Sequence, residues 1–372
     1  MSKKGENIYK RKDGRWEARY IKSYRPDGTA RFGYCYAKSY REVKQKVMQQ
    51  RTELAAGILP RTEHHRRRFA SYCDEWLQLN RNRVKESTLV KYTAMMEKHV
   101  KPQLGGCLVQ SLSTVMLEQF SHELLTVQEL SPKTVRDILT MLHAVLEYTA
   151  KQVGNMPSVE IIYPKARKNE MRVLTREEQE RLTGYLLAEY DPCRFGVLLA
   201  LTTGMRIGEV CALRWENFSP DYSELRVNAT MQRLRDLDEQ ASGKTKIVIS
   251  DPKSGRSARV IPLAERVASL CRRYANAPRD AFVLTGEQER YMEPRTLQNY
   301  LKRYTAACGL QGVHFHTLRH TFATRCVEVD FEIKSLSEIL GHASVNITLE
   351  RYVHSSMQLK RENMNKLAAI GF

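Results

Sequence analysis

Read by its alternation of apolar and polar positions, the chain divides into three kinds of segment. Residues 7–37, NIYKRKDGRWEARYIKSYRPDGTARFGYCYA, carry runs rich in Tyr, Trp and Phe broken by KDG around Gly14 and PDG around Gly28. Aromatic runs separated by glycine turns predict a three-stranded antiparallel sheet. Ser39 followed by Glu42 forms a capping box, predicting a helix that ends near Gly57. Apolar positions then recur with helical period in four stretches, at 69–80, 88–101, 113–125 and 132–152. Ser87 and the Ser131-Pro132 pair supply start signals, and Gly154 a stop. A compact four-helix domain is expected there. Thr175 with Glu178 opens a further helix, after which helical stretches alternate with the β-branched runs RVNATMQRL, KIVIS and RVIPL. The predicted fold class is α+β, mainly α with small β-sheets.

Two polar stretches interrupt these patterns. LPRTEHHRRRF at 59–69 is polar and basic, and 156–170 combines Pro157 and Pro164 with a KARK run. At 372 residues the chain exceeds one ordinary core. The expected organisation is a sheet-and-helix domain at 1–58, a linker at 59–68, a helical domain at 69–156, and a mixed α/β domain at 170–372.

Charge changes the picture next. The formal net charge is +18, and residues 1–68, with 19 Lys or Arg against 7 Asp or Glu, hold two thirds of it. Such a field attracts polyanions by releasing their counterions, so nucleic acid is the expected partner. Lys10, Arg15, Arg19 and Arg31 sit in the predicted sheet beside aromatics, suited either to a DNA groove or to a solvated basic face over a small core. Lys85, Lys91, Lys98 and Lys133 on the helical domain are suited to gripping a duplex or to ordinary solvation. No apolar run approaches the ~18 residues that span a bilayer, and MSKKGENIYK lacks a signal peptide's apolar core, so a cytoplasmic protein is expected. The eight cysteines form no CxxC pair, which predicts buried reduced thiols without disulfides or zinc.

Candidate chemistry lies in five elements of the last domain, carried by four stretches. In LTTGMRIGEVCALRW an apolar helix stops at Gly204, and Arg206 opens the next helix, pointing a guanidinium and free backbone N–H groups at one place. Lys253 occupies a Ser/Gly-rich turn between two strands in DPKSGRSARVIPL. His316 and Arg319 in HFHTLRHTFATR are spaced i, i+3 and share a helix face. In SEILGHASVNITLERYVH, Gly341 ends a helix, His342 follows, and Tyr352 comes ten residues later in a second short helix. Each stretch alone has an ordinary structural use. Together they meet the needs of phosphodiester transfer: arginines and histidines neutralise charge on the phosphate oxygens, a tyrosine forms a covalent intermediate, and a lysine protonates the leaving 5′-hydroxyl. His314, His316 and His320 also invite a metal site, against which stands the adjacent Arg319 and the lack of carboxylates or cysteines at ligand spacing.

The ordered set TGMRIGE, PKSGR, HTLRH, LGH and RY resembles the tyrosine recombinase, or phage integrase, family across about 170–372. The resemblance implies Arg206, Lys253, His316, Arg319, His342 and Tyr352 as the catalytic set, a 3′-phosphotyrosyl intermediate, no metal, ATP or other cofactor, and a homotetramer exchanging strands through a Holliday junction. It also implies core-binding and catalytic domains that clamp double-stranded DNA. The N-terminal sheet is similar to the arm-binding domain of heterobivalent integrases, which points to a phage or conjugative element, with an excision factor or host DNA-bending protein as accessory partner. The tail after Tyr352 is expected either to dock on a neighbouring protomer, as tails of the resembled family do, or to fold back on its own domain. Rival expectations are a type IB topoisomerase, a catalytically silent DNA-binding regulator, and a metal-dependent nuclease built on the three histidines.

Overall fold

The computed structural model describes residues 7–24, 30–55, 67–153, 156–165, 171–238, 243–250 and 258–352. The chain falls into two compact units, Met1–Arg167 and Lys168–Phe372.

The first unit opens with β1 (Ile8–Lys10), β2 (Trp16–Tyr24) and β3 (Ala30–Ala37), antiparallel in the order β1-β2-β3. Gly14 makes the first turn with φ +84°, a conformation that favours glycine. The register Glu17↔Tyr36, Arg19↔Tyr34, Ala18↔Cys35 and Tyr20↔Gly33 separates two faces. One face holds Ala18 and Tyr20, buried with Ile8 against Val43 and Val47 of α1 (Tyr40–Ala55). Gly33 is required there, because a Cβ would stand 2.6 Å from the Tyr20 ring. The Glu42 N–H donates to Ser39 Oγ at 3.3 Å, as the capping box predicts.

A separate core belongs to α2 (Phe69–Asn80), α3 (Glu86–Met95), α4 (Thr114–Thr126) and α5 (Pro132–Val153). Phe69, Tyr72, Met96, Leu124, Ile138 and Leu142 are fully enclosed, each burial contributing about 1.5–3 kcal/mol. The four expected helices are present with one correction. Helix α3 begins at Glu86 with Lys85 as its cap residue, so Ser87 lies inside the first turn. A π-turn at Met96–Val100 leads into a closing turn at Lys101–Leu104. Gly57 and Gly154, the expected stops, lie outside the described residues.

The second unit begins with α6 (Arg176–Ala188), opened by the complete Thr175–Glu178 capping box, and α7 (Pro192–Thr203), buried around most of its circumference at the centre of the core. Then come α8 (Ile207–Ala212), β4 (Glu224–Val227), β5 (Thr230–Arg235), β6 (Thr245–Ser250) and β7 (Arg259–Pro262). The strands form two antiparallel pairs, β4 with β7 and β5 with β6. The unit continues through α9 (Glu265–Tyr274), α10 (Pro294–Ala307), α11 (Phe315–Glu328), α12 (Ile333–Leu340) and α13 (Val345–Tyr352). All eight cysteines are free; five are buried and Cys35, Cys107 and Cys308 are half-buried.

Helix α8 lies hard against β5. A Cβ on Gly208 would stand 2.5 Å from the Met231 carbonyl oxygen and 2.6 Å from Thr230 Oγ1. Gly208→Ala is therefore expected to destabilise the protein by about 1–3 kcal/mol through overpacking, visible in thermal unfolding as a melting point lowered by several degrees.

Candidate active site

Helix α7 ends at Gly204 with φ +67°, and α12 ends at Gly341 with φ +64°. Gly204 has a second reason to be glycine, since a Cβ would stand 2.6 Å from Phe322 and 2.8 Å from Leu340. These two turns release the chain so that Arg206 and His342 follow within two residues of a helix end. Arg319, on α11, ties the turns together. Its guanidinium donates to the Gly204 and Leu340 carbonyl oxygens, each at 2.7 Å. A cation there satisfies carbonyls that helix ends leave open. Arg319 is 4% exposed. Burial, with Arg206 nearby, lowers its pKa to about 9, so it stays protonated at neutral pH.

Arg206 occupies the N-cap of α8, with its side chain 37% exposed. Its backbone N–H and Nη1 donate to Glu209 at 2.9 and 2.8 Å. Glu209 is buried and also receives Nη1 and Nη2 of buried Arg259, at 3.1 and 2.9 Å. Burial alone would raise the Glu209 pKa; the hydrogen bonds and charge of Arg259, with Arg206, hold it below the ordinary value. Arg259 Nε further donates to the Ile339 carbonyl oxygen, which fastens β7 to the end of α12.

His342 is buried, and its Nδ1 lies 2.8 Å from Thr348 Oγ1. Desolvation and the cations Arg319 and Arg206 depress its pKa to about 3. Tyr352, on α13, is 6% exposed and lies parallel to the His342 ring, with centroids 6.4 Å apart. Burial raises its pKa against the opposing influence of Arg319, Arg351 and Arg206. His316 reaches solvent, and desolvation plus Arg319, His314 and Arg206 lower its pKa. The structure thus gathers Arg206, Arg319, His316, His342 and Tyr352 into one electrostatically coupled cluster. Lys253 lies outside the described residues.

Sequence reasoning missed two members, Glu209 and Arg259, and named a third, His320, only as a metal candidate. Glu209 was legible as the acidic residue three places after a helix-opening arginine. Arg259 shows as a charge inside the apolar run RVIPL. His320, whose Nδ1 stands 2.8 Å from the Tyr352 hydroxyl, carries no local sign because its partner is 32 residues away. The three histidines considered for a metal do not converge: His314 caps α11 through Thr317, while His320 turns to Tyr352. Among the described residues, no group of three or more His, Cys, Asp or Glu side chains is placed to hold a metal. Tyr304 is committed elsewhere, donating to Asp191 Oδ2 at 2.6 Å.

In the first unit, Arg19 lies on the open face of the sheet, 3.4 Å from the Phe32 ring centroid, and Arg15 lies 6.0 Å from that of Tyr36. Arg11 approaches Tyr36 at 5.5 Å and was not foreseen. Lys10 and Arg31 are exposed near strand ends, in the rows that alternate with this face. Lys85 and Lys133 are exposed at the first turns of α3 and α5.

The profile of the Phage integrase family matches residues 172–359, just over half of the chain, and that of the phage integrase N-terminal SAM-like domain matches 68–125. The chain belongs to the phage integrase family. It is a tyrosine recombinase of the integrase and transposon type, an enzyme of site-specific recombination that cleaves and rejoins DNA strands. A tyrosine recombinase XerC-like protein of Caldanaerobacter subterraneus subsp. tengcongensis is 24% identical over 294 residues, covering 73% of this chain and 74% of its own. The transposase from transposon Tn916 of Enterococcus faecalis is 28% identical over 213 residues, about half of each chain. In fold the protein is similar to the Tn1549 transposon integrase in complex with transposon right end DNA, with TM-score 0.68 and 19% identity over 81% of this chain and 99% of that one. It is likewise similar to a lambda integrase tetramer bound to a Holliday junction, with TM-score 0.56 and 18% identity over 94% and 98%. These matches lend no support to the topoisomerase or the silent regulator. No described helix is long and apolar enough to cross a membrane.

Proposed function

We propose that the protein integrates and excises a mobile element, with Tyr352 as the nucleophile that forms a 3′-phosphotyrosyl intermediate. The observation that carries this reading is the clustering of a buried tyrosine hydroxyl with Arg206 and Arg319, whose charges oppose its burial in setting its pKa. Attack by the hydroxyl builds negative charge on the phosphate oxygens. Arg206, Arg319, His316 and His342 offer donors to that charge. Arg319 is the more constrained guanidinium and Arg206 the more accessible one, so Arg206 is the group free to follow the phosphate as it changes shape. Lys253 serves as the acid that protonates the departing 5′ oxygen. The reaction conserves phosphoester energy in the tyrosyl link, so resealing needs no ATP.

Residues 69–156 and 170–372 act as core-binding and catalytic domains, and four protomers exchange strands through a Holliday junction in the cytoplasm on nucleoid DNA. An excision factor or host DNA-bending protein acts as accessory partner. The fold likeness to integrases solved on transposon-end and junction DNA supports this reading.

Residues 1–58 act as an arm-binding domain through the open face of the sheet. Tyr9, Tyr34 and Tyr36 are 46%, 51% and 42% exposed there, more aromatic surface than a solvated face needs. Arginines stacked on aromatic rings hold their charge in place for a phosphate backbone. Lys10 and Arg31 add phosphate contacts at the margins of the sheet, and Lys85 and Lys133 grip the duplex from the helical domain. Arg19→Ala is expected to weaken binding to the element's end sequences and to reduce the slope of log affinity against log salt by about one. A salt titration of full-length protein against that DNA measures it.

The whole reading is tested by incubating wild-type protein, in EDTA, with duplex DNA spanning the joined ends of the encoding element, then denaturing. DNA-linked protein is expected, and sequencing the trapped strand locates the cut. No adduct from wild type would overturn the covalent mechanism.

A further inference from the structure

A tyrosine that attacks phosphorus must give up its phenol proton to a nearby base. We infer that His320, through Nδ1, is the base that takes the proton from the Tyr352 hydroxyl as the tyrosine attacks DNA. The inference rests on Tyr352 being the nucleophile and names the group that activates it.

Geometry points to His320 among four histidines in the neighbourhood. Its Nδ1 stands 2.8 Å from the Tyr352 oxygen. His342 lies parallel to the Tyr352 ring at 6.4 Å, and its Nδ1 faces Thr348. His314 is occupied at the start of α11 by Thr317. His316 is exposed, with its ring centroid 6.4 Å from that of His320.

Charge fixes the direction of the hydrogen bond. The groups facing His320 are His316, His314 and Arg319 from α11 and its cap, and Arg351 and Tyr352 from α13. Burial and these neighbours bring its pKa down to about 4, so the imidazole is neutral at working pH. Tyr352, with its pKa raised by burial, keeps its proton in the resting state. A neutral imidazole facing a protonated phenol accepts at Nδ1 and carries its own hydrogen on Nε2.

The step balances without another reactant. The Tyr352 oxygen bonds to phosphorus, the bond from phosphorus to the 5′ oxygen breaks, the phenol proton passes to His320 Nδ1, and the 5′ oxygen takes a proton from Lys253. Resealing reverses each transfer. The imidazolium forms only while negative charge is gathering on the phosphate, which offsets the repulsion that keeps His320 neutral at rest.

His320→Asn separates a base from a prop, because the asparagine oxygen replaces Nδ1 as an acceptor but takes no proton near neutral pH. Initial rates of adduct formation on the joined-ends duplex are compared for wild type, His320→Asn and His320→Ala across pH 6–9, with Tyr352→Phe as the blank. Wild type, whose base is neutral throughout, is expected to show no rise attributable to this group. Both variants are expected to be about 10²-fold slower at pH 7, at the low end for general-base catalysis because a weakly basic imidazole gains least. Their rates should climb about tenfold per pH unit, as the phenol must then ionise unaided. His320→Asn at the wild-type rate, or slow variants whose profiles run parallel to wild type, would overturn the inference. Unfolding midpoints and DNA affinity are measured alongside; a slow His320→Asn protein with a parallel profile and a lowered midpoint is a merely structural loss and counts against the base. Absence of adduct from wild type itself would instead sink the nucleophile assignment.

Discussion

Protein carrying Tyr352→Phe is expected to form no DNA-linked product on the joined-ends duplex while retaining its DNA affinity and fold. The substitution keeps the ring that lies against His342 and removes only the hydroxyl that contacts His320. Loss of this buried hydrogen bond, which leaves His320 Nδ1 without its donor, costs about 1–3 kcal/mol of stability, whereas loss of a covalent nucleophile lowers turnover by the order of 10⁴–10⁶. The two effects differ enough to be read apart in one preparation, by denaturing gel for the adduct and by thermal unfolding for the fold. Tyr304 cannot stand in, since its hydroxyl is bonded to Asp191 and burial with that carboxylate raises its pKa. An adduct of undiminished yield from the variant would move the chemistry to another residue.

Arg319→Met is expected to produce the second largest loss, and here chemistry and stability fall together. A guanidinium that receives the developing phosphate charge is worth roughly 10²–10³ in rate. The same group satisfies the Gly204 and Leu340 carbonyls, and each buried carbonyl left without a donor costs about 1–3 kcal/mol. Methionine fills the volume without donating, so the two turns should loosen with respect to each other, carrying Arg206 and His342 out of line. Arg319→Lys keeps a charge but lacks the planar fork that reaches two carbonyls at once, and is expected to recover only part of either loss. Single-turnover cleavage measured together with urea unfolding of both variants checks the coupling. A methionine variant that unfolds like wild type would show that Arg319 holds neither turn.

Much of this arrangement was legible because its signals are local. Glycines at the ends of α7 and α12 marked the turns before Arg206 and His342, the i, i+3 spacing placed His316 beside Arg319, and the glycine turn at 14 marked the break between two strands, while Gly28 lies outside the described residues. The four central helices followed from apolar periodicity, though Ser87 drew the start of α3 two residues late because the helix accepts Lys85 as its cap residue with no side-chain bond. What stayed hidden depends on contacts between distant positions. Glu209 meets Arg259 across 50 residues and His320 meets Tyr352 across 32. No periodicity or turn chemistry encodes either pairing, which exists only once the helices have packed. The faces of the N-terminal sheet were half legible: alternation placed Arg19 among the outward aromatics, while Lys10 and Arg31 fell in the other rows.

The carboxylate of Glu209, shared between an arginine of the candidate site and one of the core, has a consequence for how such a protein can change over time. A substitution at position 209 takes the carboxylate from two cations at once, one of them buried, and a substitution at 259 leaves a buried anion with only the part-exposed Arg206 as its charged partner. Neither intermediate is a neutral step. Positions 206, 209 and 259 are thus free to drift only as a set, so natural variation should concentrate where DNA sequence is read and leave this triplet as a fixed inheritance across otherwise divergent elements.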